Sequence, residues 1–180
     1  MASPEQVWVA LLRAVNVGGK NVIKMAELRG LCEALGWRDV STYLQSGNVV
    51  FRAGETDEQA VRTRLEDGIK QQFGINTEVI VRSAAELDDV VHHNPFVGRD
   101  ELKPNWLTVM FFNEAPGDAL EGFRSDYAGR EQLAARGRDL YIYYTEGIGR
   151  SKLPRAMAPL KLAGTVRNWS TIVKLRDAAA

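Results

Sequence analysis

A short basic, glycine-rich segment after the first hydrophobic run contains the residue types of an anion-binding loop. Glycines allow backbone N–H groups to turn toward a ligand, and such groups together with nearby cations bind phosphate or carboxylate. The candidate ligand-binding residues of this segment are Arg13, Asn16, Gly18, Gly19, Lys20 and Lys24. The segment is not a P-loop, because the first glycine and the Ser/Thr after the lysine are both absent. An ordinary tight turn with solvated lysines explains the same residues, so both interpretations stay open.

A second candidate is the turn Gln45-Ser46-Gly47-Asn48 between two predicted strands. Ser46 and Asn48 could face a ligand held by the glycine loop. Short polar side chains in turns also bond to nearby backbone groups, which is the commoner use. Because the two segments need not be neighbours in a split βαβ unit, we expect local capping rather than a shared site.

The last fifth of the chain is strongly basic. From Gly147 onward it carries seven Lys and Arg residues against one acid, Asp177. Gly147 to Lys152 resembles a flexible basic loop that could close over phosphate, with Arg150 and Lys152 as ligands and Arg167 further along. A solvated basic surface, or a patch that meets acids across a subdomain or dimer interface, is the alternative.

Hydrophobic periodicity predicts the elements that must position these residues. The order β-α-β-β-α-β fits the first 83 or so residues, which is the split βαβ or ferredoxin-like arrangement. Capping boxes beginning at Thr56 and Ser83 mark two of the helices. A second β-α-β-β pattern follows, without an evident final strand. We therefore expect an α+β protein of two linked ferredoxin-like subdomains with antiparallel sheets, residues 1–95 and 96–180.

Several sequence blocks, in order along nearly the whole chain, resemble the bacterial family known as domain of unknown function 1697. The blocks are Leu12 to Asn21, Lys24-Met25, Gln45 to Phe51 and Arg167 to Trp169. Ala14 stands where that family is expected to have glycine. The resemblance implies two linked ferredoxin-like subdomains, in agreement with the periodicity, and it implies no activity.

Familiar metal and catalytic motifs are absent from the sequence. The single cysteine, Cys32, excludes an internal disulfide and a thiolate zinc cluster, and it lies in the apolar stripe of a predicted helix. His92 and His93 are adjacent and have no third ligand at useful spacing. No nucleophile elbow, HExxH or GxGxxG motif occurs. We expect no metal and no cofactor, and the catalytic residues, if any, stay unknown.

Charge and hydropathy exclude other classes of protein. The formal net charge is zero, with 23 basic and 23 acidic residues, which argues against non-specific nucleic-acid binding. The third strand, Asn48 to Arg52, has one aromatic residue, unlike an RNA-recognition strand; Tyr141 and Tyr143 would be the better aromatic platform. The apolar run Val7 to Leu12 is too short to span a membrane, and the N-terminus has no signal-peptide pattern. We expect a cytoplasmic protein without membrane partners.

The sequence therefore favours a protein that binds a small phosphorylated or otherwise anionic ligand. This hypothesis requires that the glycine loop and the basic loop face each other. The alternative is a homo- or hetero-oligomeric interaction protein without catalysis, because ferredoxin-like sheets have edge strands that can pair between chains, as in a homodimer. A third and less favoured hypothesis is nucleic-acid binding through the basic C-terminal segment, which predicts a steep dependence on salt.

Overall fold

The structure is a computed structural model that describes residues 4–98 and 103–180. The chain divides into two compact units. The first unit comprises Met1–Val91 with Lys174–Ala180, and the second comprises His92–Val173. Each unit contains one four-stranded antiparallel sheet with helices, so the predicted α+β class is confirmed.

The first unit has the strand order of a ferredoxin-like sheet. Its elements are β1 (Gln6–Leu12), α1 (Met25–Ala34), β2 (Arg38–Tyr43), β3 (Asn48–Ala53), α2 (Glu58–Phe73), β4 (Val79–Ser83) and α3 (Ala84–His92). The strands lie in the order β2-β3-β1-β4. Leu11 of β1 pairs with Asn48 of β3. The end of β1 therefore lies beside the start of β3, at one end of these two inner strands.

The second unit repeats this order. Its elements are β5 (Leu107–Phe112), α4 (Asp118–Asp126), β6 (Gln132–Arg136), β7 (Asp139–Tyr143), α5 (Leu153–Met157), β8 (Gly164–Asn168) and the start of α6 (Trp169–Ala179), whose residues from Lys174 onward belong to the first unit. The strands lie in the order β6-β7-β5-β8. The final strand, which the sequence pattern did not reveal, is β8. It lacks a hydrophobic signature because two of its buried residues are Thr165 and Arg167.

The strand that closes each sheet carries the same local motif, which marks the two units as a structural repeat. Arg82 in β4 and Arg167 in β8 each precede a small polar residue, and a helix then begins directly. Both arginines are buried. Each donates from Nη1 to the carbonyl oxygen of the preceding valine, Val81 or Val166, at 3.0 Å. Burial lowers the pKa of Arg167 to about 10.

The core of the first unit lies between its sheet and the helices α1 and α2. Leu28, Leu31 and Cys32 form the buried face of α1, as the three- and four-residue spacing predicts. Burial raises the pKa of the Cys32 thiol to about 12, with a smaller contribution from the charge of Glu33. Cys32 is fully buried among the apolar residues of this cluster, so it is a core residue.

Two helix N-termini test the predicted capping boxes. At α3, Glu86 Oε2 accepts from the Ser83 N–H at 2.8 Å and Ser83 Oγ accepts from the Glu86 N–H at 3.2 Å. This reciprocal pair confirms the second box. At α2 the cap is Asp57, whose side chain accepts from Ala60 N–H, so the prediction of a box beginning at Thr56 is wrong by one residue. A carboxylate is as good an N-cap as a hydroxyl.

The aromatic residues of β7 are buried in the fold and are not exposed to solvent. Tyr141 and Tyr143 pair with Val109 and Leu107 of β5, so they lie on one face of the sheet, as their alternation predicts. Both are buried. They are therefore no exposed stacking platform for bases. Within the described residues, no helix is long and apolar enough to cross a membrane.

Candidate functional site

The glycine loop of the first unit folds as a short hairpin, here called the glycine hairpin (Asn16–Asn21). The Lys20 N–H donates to the Val17 carbonyl at 3.0 Å, and the Asn16 N–H donates to the Asn21 carbonyl at 3.1 Å. Between them, Gly18 and Gly19 have φ of 57° and 71°. Two successive positive φ values define the tight type I′ turn. The turn requires glycine at these two positions, and Lys20, the residue that follows them, is exposed.

Asn16 fixes this hairpin to the rest of the unit. Its Nδ2 donates to the carbonyl of Ile23 at 2.9 Å and to that of Gln45 at 2.7 Å. Its Oδ1 accepts from the Ile23 N–H at 2.9 Å. These three hydrogen bonds to backbone groups join the hairpin to the segment just before α1 and to the turn between β2 and β3. We call this set of three bonds the brace of Asn16. Its side chain therefore positions the candidate site from within.

The β2–β3 turn (Leu44–Gly47) lies beside the glycine hairpin, contrary to the expectation that the two segments need not be neighbours. Asn16 bonds to Gln45, and the Leu12 N–H donates to the Gly47 carbonyl at 2.9 Å. The two loops are neighbours because β1 pairs with β3 in antiparallel orientation, which places the end of β1 next to the start of β3.

The local capping predicted for Ser46 and Asn48 is present. Asn48 is fully buried, and its Nδ2 donates to the Tyr43 carbonyl at 2.6 Å and to Ser46 Oγ at 2.9 Å. A buried amide must be hydrogen-bonded, and these contacts hold the turn in shape. The two residues thus support the turn that faces the glycine hairpin.

These two adjoining loops hold much of the unusual backbone of the protein. Among the described residues, six non-glycine residues have positive φ, and four of them lie in these loops or within two residues of them. They are Ala14, Asn16, Asn21 and Leu44. Such conformations cost about 1 kcal/mol or more for residues with a Cβ. The loops are therefore held by their hydrogen bonds in a defined shape despite their exposure.

Replacing Ala14 by glycine is expected to stabilise the protein by about 0.5–1 kcal/mol. Ala14 is exposed and has φ of 54°, so glycine relieves the strain of its Cβ without loss of packing. The urea midpoint measures the change. Ala26→Gly, on the exposed face of α1, is the matched control and should lower stability by about 0.5 kcal/mol. Equal effects of the two substitutions would contradict the assigned strain.

Two lysines supply the positive charge of these loops. Lys20 and Lys24 are exposed, and in the described part of the chain no carboxylate forms an ion pair with either. Lys24 occupies the N-cap position of α1, where no side chain caps the helix. A cation at the positive end of a helix is unfavourable unless an anion is close. Arg13 differs, because it forms an ion pair with Glu78 at 3.3 Å.

The basic loop of the second unit is anchored by its serine. Ser151 Oγ donates to the carboxylate of Glu131 and accepts from the Leu153 N–H, and Tyr127 OH donates to the same carboxylate. Burial acts to raise the pKa of Glu131, but the hydrogen bonds from Ser151 and Tyr127 outweigh it and hold that pKa below its usual value. The ionised carboxylate therefore holds the loop in place at neutral pH.

The cations predicted in the second unit divide into two kinds. Arg150 and Lys152 flank Ser151, are exposed, and form no ion pair with a carboxylate among the described residues. Arg167 is 6% exposed, and its Nη1 also donates to Thr165 Oγ1 at 2.7 Å. Arg150 and Lys152 are therefore accessible to a ligand from solvent, whereas Arg167 is enclosed in its sheet.

Sequence reasoning missed four exposed apolar residues that lie in or directly beside the two loops of the first unit. Val17 and Val22 are more than 60% exposed, and Tyr43 and Leu44 are also exposed. Two valines inside a run of glycine, asparagine and lysine were the available signal, because turns of this kind favour polar side chains. We call these four residues the hairpin patch.

The fold and the loops together define an α+β protein built from two ferredoxin-like repeats, with an exposed basic hairpin in the first. The family described as "Protein of unknown function (DUF1697)" matches residues 6–141, and the chain belongs to that family. Among solved structures, the chain is similar to the conserved bacterial protein SP0830 from Streptococcus pneumoniae. The two share 21% identity with a TM-score of 0.75, over 98% of this chain and 99% of that one. No curated protein matches significantly.

Proposed function

We propose that the protein binds a small phosphorylated or otherwise anionic ligand at the glycine hairpin of the first unit. The observation that carries the proposal is that Lys20, on the braced hairpin, and Lys24, at the N-cap of α1, are both exposed and have no carboxylate partner among the described residues. Two neighbouring uncompensated cations attract an anion, and the uncapped end of α1 adds to the same potential.

The rigidity of the hairpin supports this proposal. Asn16 ties the hairpin at both ends through backbone groups, so the loop does not have to become ordered when a ligand arrives. Binding to a preorganised loop avoids the entropic cost of fixing it.

The charge of the hairpin can be removed without disturbing its brace. In Lys20→Ala with Lys24→Ala, we expect affinity for inorganic phosphate, sugar phosphates or nucleotides to fall at least tenfold, because each charge-assisted bond contributes about 1.5–3 kcal/mol. Isothermal titration calorimetry across this panel measures the change. Affinity should also fall as salt rises, since the lysines are exposed.

The matched control is Arg150→Ala with Lys152→Ala, which removes the same formal charge from the second unit. If only the lysine pair of the hairpin matters, the site is the hairpin alone. If both pairs reduce binding equally, non-specific attraction to positive charge explains the loss, and the hairpin is not a distinct site. Unchanged affinity in the Lys20 and Lys24 double variant would refute the proposal.

A further inference from the structure

The hairpin patch is an unusual cluster of exposed apolar surface. Val17 is 64% exposed, Val22 62%, Leu44 52% and Tyr43 37%. In the described part of the first unit, these four are the large apolar side chains that are exposed. Single exposed apolar residues are ordinary, but a group of them in one place marks an interaction site.

The hydrogen bonds of Asn16 hold together the backbone segments that carry these four residues. Val17 directly follows Asn16, and Val22 directly precedes Ile23, to which Asn16 bonds twice. Leu44 directly precedes Gln45, the third partner of Asn16, and Tyr43 precedes Leu44. Every member of the patch is thus within two residues of Asn16 or of a residue that Asn16 holds.

The apolar patch adjoins the positive charge. Val17 and Lys20 form an antiparallel bridge across the turn of the hairpin. Residues directly opposite in such a pair project to the same side. Val22 lies two residues from Lys24 in the sequence. Val17 and Lys20 therefore lie on the same side of the hairpin, so that an apolar and a cationic side chain are neighbours there.

We infer that the ligand of this site is an amphiphilic anion, in which the anionic group is joined to an aromatic or aliphatic portion. This inference rests on the proposed function and adds to it the class of ligand. The anionic group would bind at Lys20 and Lys24 while the apolar portion covers Val17 and Leu44. A bare phosphate or a sugar phosphate would leave those side chains in water and gain nothing from them.

The expected contribution of the apolar portion follows from its area. Removing about 60 Å² of apolar surface from water corresponds to roughly tenfold in affinity. The probes are inorganic phosphate and 2-naphthyl phosphate, which carry the same anionic group, together with neutral 2-naphthol. We expect naphthyl phosphate to bind at least tenfold more tightly than phosphate, and naphthol to bind more weakly than naphthyl phosphate.

Substitutions in the hairpin patch test the contribution of the apolar portion of the ligand separately from that of its anionic group. Val17→Ser with Leu44→Asn removes apolar surface and keeps both lysines, and asparagine tolerates the positive φ of position 44. We expect the affinity for naphthyl phosphate to fall to within about twofold of that for phosphate, and the affinity for phosphate to stay unchanged. Val97→Ser, at a valine 71% exposed in the second unit, is the matched control and should alter neither.

An amphiphilic anion could be a soluble ester or an anionic lipid, and vesicles distinguish the two. Capture by phosphatidylglycerol vesicles that the patch variant loses supports a lipid as the source. Binding of naphthyl phosphate without such capture supports a soluble ester. Equal affinity of the wild-type protein for phosphate and naphthyl phosphate, with no vesicle capture, would overturn the inference and leave the proposed function standing. Failure of phosphate, naphthyl phosphate and vesicles alike to bind would overturn both.

Discussion

Replacing Asn16 by alanine is expected to lower the free energy of unfolding by about 3 kcal/mol. The substitution removes three hydrogen bonds to backbone groups, at 2.7–2.9 Å, and each contributes about 0.5–1.5 kcal/mol. It also leaves the N–H of the buried Ile23 without its partner, and it places alanine at φ of 54°. Equilibrium unfolding in urea measures the change.

Two further substitutions at the same position separate the causes. Asn16→Gly removes the same bonds without the strain of a Cβ, so it should be less destabilising than alanine by about 1 kcal/mol. Asn16→Asp keeps the acceptor for the Ile23 N–H but places a carboxylate oxygen against the carbonyl oxygens of Ile23 and Gln45, so it should be at least as destabilising as alanine. If Asn16→Ala lowered the free energy of unfolding by less than about 1 kcal/mol, the brace would contribute little to stability.

The brace also makes a prediction about binding. Because Asn16 positions the hairpin without being required to touch the ligand, Asn16→Gly should weaken phosphate binding while both lysines remain. Amide hydrogen exchange of the hairpin should become faster in the same variant, since its anchors to Ile23 and Gln45 are lost. Weaker binding without faster exchange would argue instead for direct contact between Asn16 and the ligand.

Replacing Gly47 by alanine is expected to destabilise the protein by about 3–4 kcal/mol. A Cβ at this position would lie 2.8 Å from Val15 Cγ2 and 2.9 Å from Leu12 Cβ, and φ is 83°. Leu12 Cβ is next to the backbone of β1 and cannot rotate away. The Gly47 carbonyl accepts from the Leu12 N–H, so the turn cannot move back without losing that bond. Overpacking of this kind costs about 1–3 kcal/mol beyond the backbone strain.

The matched control is Gly36→Ala, after the end of α1. Gly36 has nearly the same φ, 85°, and its Cβ would meet nothing within 4 Å. The Gly36→Ala variant should therefore lose only the part of the free energy of unfolding that comes from backbone strain, about 1–2 kcal/mol. The difference between the two variants in urea unfolding measures the steric component at Gly47. Equal losses would mean that the turn can retreat from β1, and the fixed contact between the two loops would be in doubt.

Local sequence patterns were sufficient for the elements that have a strong local signal. The spacing of Leu28, Leu31 and Cys32 predicts the buried face of α1, and the Ser83–Glu86 capping box predicts the start of α3. The β-α-β-β-α-β order of the first unit then specifies its sheet. These signals depend on neighbours within four residues, and such spacing is visible in the sequence.

The final strand of the second unit shows where this reading fails. In β8 the buried positions include Thr165 and Arg167, so the alternation of apolar and polar residues that marks a strand is missing. The comparison with β4 supplies the signal that local reasoning lacked. Val-Arg followed by Ser or Asn, and then directly by a helix, occurs at Val81 and again at Val166.

The sequence by itself determined the fold class, the core faces of the helices and the residue types of the candidate site. The tertiary structure alone decided that the glycine hairpin and the β2–β3 turn are neighbours, because the pairing of β1 with β3 joins segments about 30 residues apart. It also decided which cations are accessible, since Lys20 is exposed and Arg167 is enclosed. Proximity and burial depend on contacts between distant residues, and spacing along the chain does not contain that information.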